Sequence, residues 1–327
     1  MVRTGAHAYL KYGYESTYGT AASTIDKKFG LNDALTSWTL THNRQDLPQL
    51  NSLTVQNYAY GQQQGSIGID FTLSNPWIFT ALFGAPSTTG SSDPYTHTYP
   101  HASNGTSKTP TSFTCEVGFD GASGDIVRTL KGCVMDSLSI SASVGNLVQC
   151  SVSATYGNED APSTSLGTAP TEPTVQFPYT FAHARLKYGG QTLAEVQDVN
   201  ININQSTSLL YGLNDHQAVD AYRQLFDITG SFRASLLNKN VLEDMLEQIK
   251  AGTSSGTYNE TVGGSPELEI AFIEDSSNDY ITLTGTGLAP TDLSYDGFRA
   301  NEPIFENVNW RIKSLAVEAK NGESAAE

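Results

Sequence analysis

The chain has 327 residues, a length that corresponds to about two domains of average size. Lys and Arg number 18 against 34 Asp and Glu, so the formal net charge is -16. This charge argues against a surface built to neutralise nucleic-acid phosphates or anionic lipids, and with it against sequence-specific DNA binding. Because 38% of the residues are hydrophobic and 16% are charged, most of the chain should fold rather than remain disordered.

No segment of the sequence predicts export or insertion into a membrane. Residues 1–20 carry charges and tyrosines where a signal peptide needs an unbroken apolar stretch. The longest apolar neighbourhood, residues 77–85, is far shorter than the roughly 20 residues that a bilayer requires. Cys115, Cys133 and Cys150 have neither the spacing of a zinc site nor the density of a disulfide framework, so we interpret them as buried hydrophobic residues.

Short alternating runs dominate the chain and predict a mainly β protein. One strand has the hydrophobic residues Ile67, Ile69, Phe71 and Leu73 on one face. It leads into a helix signal, since Asn75 can cap orphan amides and Pro76 has no N–H to satisfy. The apolar stripe of this helix would consist of Trp77, Ile78, Ala81 and Leu82, and Gly84 would end it.

A hairpin follows, in which both strands alternate between apolar and small polar residues. A Gly145-Asn146 pair separates the strands, and glycine in the first position of a two-residue loop favours a type II′ turn. The apolar residues are Leu138, Ile140 and Ala142 on the first strand and Val148, Cys150, Val152, Ala154 and Tyr156 on the second.

The second half of the sequence repeats the order of the first. A strand from Gly230 to Leu236 leads to a second predicted helix, capped near Asn238 and striped by Val241, Leu242, Met245, Leu246 and Ile249. The tetrapeptide Leu-Lys-Tyr-Gly occurs at residues 10–13 and again at 186–189. An internal duplication explains both features.

The predicted domain organisation follows from this duplication. A segment rich in Pro, Ser and Thr predicts a linker at residues 159–178, between a first domain at 1–158 and a second at 179–327. Two further loops are predicted after the helices, at 87–110 and 252–266. Such insertions cost little free energy because loop-closure entropy grows slowly with length.

The search for catalytic or metal-binding residues gives weak candidates. His97 and His101 have the spacing of a helical metal site, but Asp93-Pro94 and Pro100 disfavour a helix, so we expect a polar surface loop. Asp215-His216 lacks a nucleophile elbow and is interpreted as a helix cap. The alternation of Glu267 and Glu269 predicts a solvated strand face.

A further segment, 218–226, shows apolar residues at helical spacing. These residues are Ala218, Val219, Tyr222, Leu225 and Phe226, and they fit either a core face or a partner-binding face. No phosphate-binding loop or dinucleotide fingerprint occurs. The sequence therefore predicts no enzyme and no cofactor.

The segment Tyr12-Gly-Tyr-Glu-Ser-Thr-Tyr-Gly-Thr20 resembles the start of tail tube (major tail) proteins of long-tailed bacteriophages and related archaeal viruses. The strand and helix over 68–84, the Thr-Leu-Lys-Gly strand at 129–132 and the hairpin at 138–156 are similar to that family's layout. The resemblance covers most of the chain as a tandem-duplicated version. It implies two tail-tube-like β-sandwich or half-barrel domains, each with one flanking α-helix.

The resemblance also implies a function. Subunits of that family form rings whose sheets join edge to edge, and the rings stack into a tube that conducts viral DNA. If this chain supplies two of six domains, a homotrimer would close a pseudo-hexameric ring. The implied partners are copies of itself, other tail proteins and double-stranded DNA that passes without specific binding, with no membrane. The protein would be made in the host cytoplasm and end in the virion tail.

Two segments are candidates for the ring-stacking interface, Asp46 to Tyr60 and Leu209 to Phe226, because they precede each strand-helix pair and carry apolar residues. An ordinary core face is the alternative interpretation. The candidate residues are Leu47, Leu50, Leu53, Tyr58, Tyr60, Leu210, Tyr211 and Tyr222.

Two other functions remain open from the sequence. One is a tandem β-sandwich module that binds protein or carbohydrate, with Trp38, Trp77 and Trp310 as aromatic platforms. The spacing of Trp77 and Trp310 favours core positions instead. The other is a tail-completion or baseplate ring related to the tube subunit.

Overall fold

The computed structural model describes residues 8–100, 110–119, 125–163, 178–193, 195–235, 267–275, 278–297 and 299–323. Within these ranges the chain forms twenty-two strands and one α-helix, which confirms the mainly β fold. No helix in the described ranges is long and apolar enough to cross a membrane.

The first half contributes eleven strands and the helix. Their bounds are β1 Ala8–Tyr14, β2 Leu31–Thr41, β3 Gln45–Leu47, β4 Asn57–Ala59, β5 Gln64–Thr72, α1 Phe79–Phe83, β6 Ser87–Thr89, β7 Tyr95–Tyr99, β8 Phe113–Phe119, β9 Ile126–Ser143, β10 Gln149–Tyr156 and β11 Asn158–Glu159.

The second half begins with a 3-10 turn at Phe181–His183. The strands that follow are β12 Ala184–Tyr188, β13 Gln191–Thr192, β14 Val196–Asn204, β15 Thr207–Tyr211, β16 Ala218–Arg223, β17 Asp227–Ser235, β18 Leu268–Asp275, β19 Asp279–Thr286, β20 Ala289–Asp296, β21 Phe305–Ile312 and β22 Ser314–Asn321.

One antiparallel sheet runs through both halves. Its main path has the order β2-β5-β10-β9-β14-β17-β21-β20, and β1, β8 and β11 extend it through the N-terminal part of β9. The halves meet where β9 pairs with β14, with Ile140 opposite Ile201. A second sheet has the order β13-β12-β18-β19-β22-β7-β6. The two halves therefore share one continuous sheet.

Strand order confirms the internal repeat. The path β2-β5-β10-β9 recurs as β14-β17-β21-β20. The registers also match, since Ile69 lies opposite Val152 in the first half and Phe232 opposite Val308 in the second. Ile69 and Phe232 thus occupy equivalent positions in the repeated strand order.

A repeated ion pair marks the two Leu-Lys-Tyr-Gly strands. Lys11 of β1 lies opposite Glu116 of β8, and their side chains are 2.9 Å apart. Lys187 of β12 lies opposite Glu269 of β18 at 2.7 Å. The strand predicted around Glu269 is therefore confirmed, and each half has one such cross-strand lysine–glutamate pair.

The predicted loop at 87–110 contains two strands. The second of these, β7, adds to β22 in the other half of the chain, with Tyr99 opposite Val317. The loop prediction is wrong here because the pairing partner lies near the far end of the sequence, where no local pattern can indicate it. The domain limits 1–158 and 179–327 remain a prediction, and strand pairing crosses them at β9–β14 and at β7–β22.

The helix after β5 is present but differs from its expected form. The Asn75 Oδ1 atom accepts a hydrogen bond from the Trp77 amide at 3.2 Å, and Gly84, with φ of 92°, follows the last turn. Regular α-helix covers only Phe79–Phe83, and all five of its residues are buried. The predicted stripe residues Trp77, Ile78, Ala81 and Leu82 are buried, but the other helix residues are buried as well, so the helix is enclosed on every side and not on one face alone. The second predicted helix, 238–249, lies outside the described residues.

The hairpin of β9 and β10 is confirmed, but its turn is longer than two residues. Residues 144–148 separate the strands, and the Val148 amide donates to the Tyr179 carbonyl at 2.8 Å. The segment around Tyr179 takes the backbone groups that a two-residue turn would have used within the hairpin.

Glu15 of the Tyr12 to Thr20 segment organises the packing of the N-terminal strand. Its carboxylate accepts hydrogen bonds from the Gly19 amide, the Thr114 hydroxyl and the Gly132 amide, all within 2.9 Å. It therefore fixes the loop after β1 to β8 and β9. The motif that carries the family resemblance has a structural role in this chain.

The core fills the space between the two sheets. Leu268, Ile270 and Phe272 of the second sheet are buried in the same cluster as Phe232 and Trp310 of the first. The three cysteines are free and buried, as expected from the sequence. Burial raises the pKa of all three thiols, so they remain protonated and unreactive at neutral pH.

Candidate assembly surfaces

His97 does not lie in the polar surface loop that the sequence predicts. His97 is fully buried in β7, where one ring nitrogen contacts the Thr88 hydroxyl at 2.8 Å and the other contacts Asn321 Oδ1 at 3.0 Å. That expectation is wrong, whereas His101 lies outside the described residues. Among the residues that the structure describes, no group of three or more His, Cys, Asp and Glu is arranged to hold a metal ion.

The segment 215–226 is not helical. Asp215 accepts a hydrogen bond from the Gln217 amide in a loop, and β16 follows directly. The helix-cap interpretation of Asp215-His216 and the helical interpretation of residues 218–226 are therefore both wrong. Val219 and Tyr222 lie on β16, Leu225 lies just after it, and all three side chains are exposed. Their helical spacing in the sequence therefore does not reflect a helix.

Two equivalent hairpins project from the shared sheet. We call residues 44–60, with β3 and β4, the first arm, and residues 207–223, with β15 and β16, the second arm. Each arm is entered through a residue with positive φ, Asn43 or Ser206. Asn51 and Asn214 have φ of 69° and 71° at corresponding positions in the two tips. The arms are thus copies, related by the same alignment that matches the strands of the two halves.

The tips of both arms expose leucine. Leu50 and Leu213 correspond to each other, and both side chains are fully exposed. Sequence reasoning missed Leu213, although Leu-x-x-Leu-Asn at 47–51 recurs at 210–214 and could have identified it. The tips of both arms therefore present apolar surface to solvent.

The predicted ring-stacking residues all lie on the arms or directly beside them. Tyr211 is half-buried and donates its hydroxyl hydrogen to the Gln63 carbonyl oxygen at 2.8 Å. The exposed members of the set are Leu47, Leu50, Leu53, Tyr58, Tyr60, Leu210 and Tyr222. Val55, Val219 and Leu225 are exposed apolar residues of the same region that the prediction did not include.

The second arm lies on the first half of its own chain. The Thr207 hydroxyl donates to the carboxylate of Asp136, a residue in a β-bulge of β9. Burial raises the pKa of this carboxyl. The Arg223 guanidinium donates a hydrogen bond to the Leu82 carbonyl oxygen at 2.5 Å. Ala218 packs closely on Gly157: a Cβ atom added at position 157 would lie 2.3 Å from the Ala218 methyl group.

The contacts of the first arm join residues of the hairpin to one another and to His42, which lies just before the hairpin. Arg44 forms an ion pair with Asp46 at 2.7 Å, and its guanidinium lies 4.8 Å from the centre of the Tyr58 ring. Tyr58 packs edge-on against Tyr60. Val55 is 48% exposed and Tyr58 56%, whereas their counterparts Ala218 and Ala221 are 4% and 1% exposed. The same positions are therefore buried in one copy and exposed in the other.

The two ends of the shared sheet show the same contrast. Leu40 on the end strand β2 is 37% exposed, whereas its counterpart Ile203 on β14 is fully buried against β9. On the other end strand, β20, Leu293 is half-buried, whereas its counterpart Leu138 is fully buried. The β9–β14 junction covers residues that β2 and β20 leave open.

One face of the shared sheet carries mostly short polar side chains. Arg233 and Arg311 are the cations that the main path places on this face, and they pair with Asp296 at 3.0 Å and Asp227 at 2.7 Å. The outward-facing residues of the central strands are Ser137, Ser139, Ser141, Ser151, Ser153, Asn200, Asn202 and Asn204. Within the described strands of the main path, this face offers no unpaired cation to a polyanion.

The tryptophans do not form open platforms. Trp77 and Trp310 are 4% and 2% exposed. Trp38 lies under the Arg128 guanidinium at 3.7 Å and stacks parallel to Phe119. This arrangement removes the feature that favoured a carbohydrate-binding module.

Comparison with known proteins agrees with these features. No curated protein matches the chain. A family model described as phage tail tube protein matches residues 5–312, which is most of the sequence. The chain therefore belongs to the phage tail tube protein family, whose members are structural components of the virion tail.

Proposed function

We propose that three copies of this chain close a pseudo-hexameric ring and that the rings stack into a tube that conducts viral double-stranded DNA. The observation that carries the proposal is the repeated strand order with an open end on each side, β2 and β20. The internal β9–β14 junction supplies the pattern for pairing β20 of one copy with β2 of the next.

The repeat assigns a register to this junction. Ser139 lies opposite Asn202 in the internal junction, and their counterparts are Ser294 on β20 and Thr39 on β2. Pairing in this register would cover Leu40 and Leu293, as Ile203 and Leu138 are covered within the chain. Closure also removes the unpaired backbone groups that make an open edge prone to aggregation.

The proposed ring places the short polar face of the shared sheet toward the channel, because the opposite face packs against the second sheet. Carboxylates outnumber cations on this face, with Asp70, Asp198 and Asp292 present beside the two paired arginines. Duplex DNA carries about one negative charge per 1.7 Å, so such a wall would let it pass without binding.

Stacking of the rings is assigned to the tips of both arms. A trimer would present six tips, in which Leu50 and its counterpart Leu213 are fully exposed, and Leu53 adds a second fully exposed leucine to each first arm. Burial of a leucine side chain contributes about 2 kcal/mol, so six tips can hold adjacent rings together.

Mass measurement and electron microscopy of the purified full-length chain test the proposal. We expect particles with three times the 35.1 kDa mass of one chain, and tubes at higher concentration. A Thr39→Cys, Ser294→Cys double variant should form covalent trimers under oxidation, whereas each single variant should not. Rings that never stack would favour a tail-completion ring, and stable monomers without cross-links would overturn the proposal.

A further inference from the structure

The two arms are the same hairpin in two different environments. Residues 207–223 rest on the first half of their own chain. Among the described residues, the side-chain contacts of residues 44–60 stay within the hairpin and its base, where Tyr60 packs against His42, and nearly all residues of the hairpin are exposed. Because corresponding residues have corresponding backbone geometry, the difference arises from the neighbour and not from the hairpin.

We call the surface around Asp136 and Gly157, on which the second arm lies, its seat. We propose that the paired strands of the first arm lie on the second half of the neighbouring copy, on the surface that corresponds to this seat. The inference rests on the proposed ring, because only an adjacent copy brings β20 beside β2. It goes beyond ring closure by assigning a second contact between chains, separate from both the paired strands and the arm tips.

The seat of the second arm has a counterpart in the second half. Asp136 is the bulged residue of β9, between the two residues that pair with Ser153 and Ala154. Thr291 is the corresponding bulged residue of β20, between the two residues that pair with Asn309 and Trp310. Gly157, which follows β10, corresponds to Lys313, which follows β21. Thr291 and Lys313 are both exposed.

The side chains of the first arm suit this contact. Val55 and Tyr58 of the first arm occupy the positions of Ala218 and Ala221, which are buried in the second arm. Because valine and tyrosine are larger than alanine, their burial would remove more apolar surface from water. Lys313 stands where the internal seat has glycine, so the first arm must lie further from the body than the second arm does. A lysine ammonium over a tyrosine ring is a favourable contact at such a spacing.

Cross-linking between positions 55 and 313 tests the inference. A Val55→Cys, Lys313→Cys double variant of the full-length chain is treated with a short bismaleimide, which tolerates the wider spacing. Both residues are exposed in the lone chain, so the substitutions should leave its melting temperature unchanged. We expect covalent trimers, and at least fivefold less product from the matched control Leu50→Cys, Lys313→Cys, whose first cysteine lies at the arm tip.

The Thr39→Cys, Ser294→Cys variant separates the two proposals. If it forms covalent trimers while the 55–313 pair gives no interchain product, the ring stands and the arm contact is overturned. If neither pair links chains and no rings form, both proposals fail. A 55–313 link within one chain would also overturn the inference, because the first arm would then reach its own second half.

Discussion

The second arm is held by its own chain, whereas the first arm, its copy, is exposed along nearly its whole length. Ala221 and Tyr58 occupy the same position in the two hairpins, yet one is 1% exposed and the other 56%. The arms differ because the second arm follows a strand in the middle of the shared sheet and the first follows a strand at its end. In the proposed ring, the exposed arm is the one that a neighbouring copy would cover.

A charge placed at the shared position should separate folding from assembly. Ala221→Asp puts an unpaired carboxylate into a buried contact, which should lower the free energy of unfolding by about 3 kcal/mol. Tyr58→Asp should change it by less than about 0.5 kcal/mol, because the site is exposed in the lone chain. Urea unfolding measures both values. Equal destabilisation by the two variants would contradict the comparison.

The same pair of variants should behave differently in assembly. Tyr58→Asp should reduce the trimer fraction in mass measurements while the chain stays folded, since the carboxylate would be buried against the neighbouring copy. Tyr58→Phe is the matched control and should assemble as wild type does. Full trimer formation by Tyr58→Asp would place this residue outside every contact between chains.

Charges at the two tips should affect stacking alone. Leu50→Asp with Leu213→Asp changes residues that are fully exposed in both arms, so neither folding nor ring closure should respond. We expect trimeric rings and no tubes in electron micrographs. Leu50→Met with Leu213→Met keeps the apolar surface and should form tubes. Tubes of ordinary length from the aspartate variant would exclude the tips as stacking contacts.

The hydrogen bond at the base of the second arm should have a smaller effect. Thr207→Val removes the hydroxyl that donates to Asp136 and should cost about 1.5 kcal/mol of stability. The corresponding change in the first arm, Arg44→Ala, removes an ion pair that is exposed to solvent and should leave stability nearly unchanged. Chemical denaturation of each variant checks the order, and a larger loss from Arg44→Ala would reverse the assignment.

The smallest expected effect is a pH dependence at the same seat. Burial raises the pKa of Asp136, so the folded chain holds this proton more tightly than the unfolded chain does. Wild-type stability relative to Asp136→Asn should be highest below about pH 4 and should fall as the pH rises through the raised pKa. Unfolding measured from pH 4 to 7 tests this sign. A difference that grows with pH would contradict it.

Local patterns predicted the repeat but not the surroundings of its parts. The correspondence of Ile69 with Phe232 is visible in the sequence because both strands keep the same hydrophobic alternation. The burial of His97 is not visible, because its partner Asn321 lies in the last strand of the other half. Pairing between such distant segments depends on the sheet order, which a local pattern does not encode.

The arms show a second limit of sequence reasoning. Leu47 and Leu210 could be matched from the sequence, and exposure of the region was one of two interpretations open there. Helical spacing at 218–226 suggested a different element, because an exposed strand whose partner is another short strand lacks a buried alternating face. Which arm is covered depends on neighbouring strands, so equivalent hairpins receive opposite environments.

A residue-resolution electron-microscopy map of one ring tests most directly whether the neighbouring copy completes what the lone chain leaves open. We expect three chains, with β20 of each paired antiparallel to β2 of the next, Ser294 opposite Thr39, and the first arm resting beside Lys313 of the adjacent copy. A ring of six chains, or three chains joined through other strands, would contradict the account.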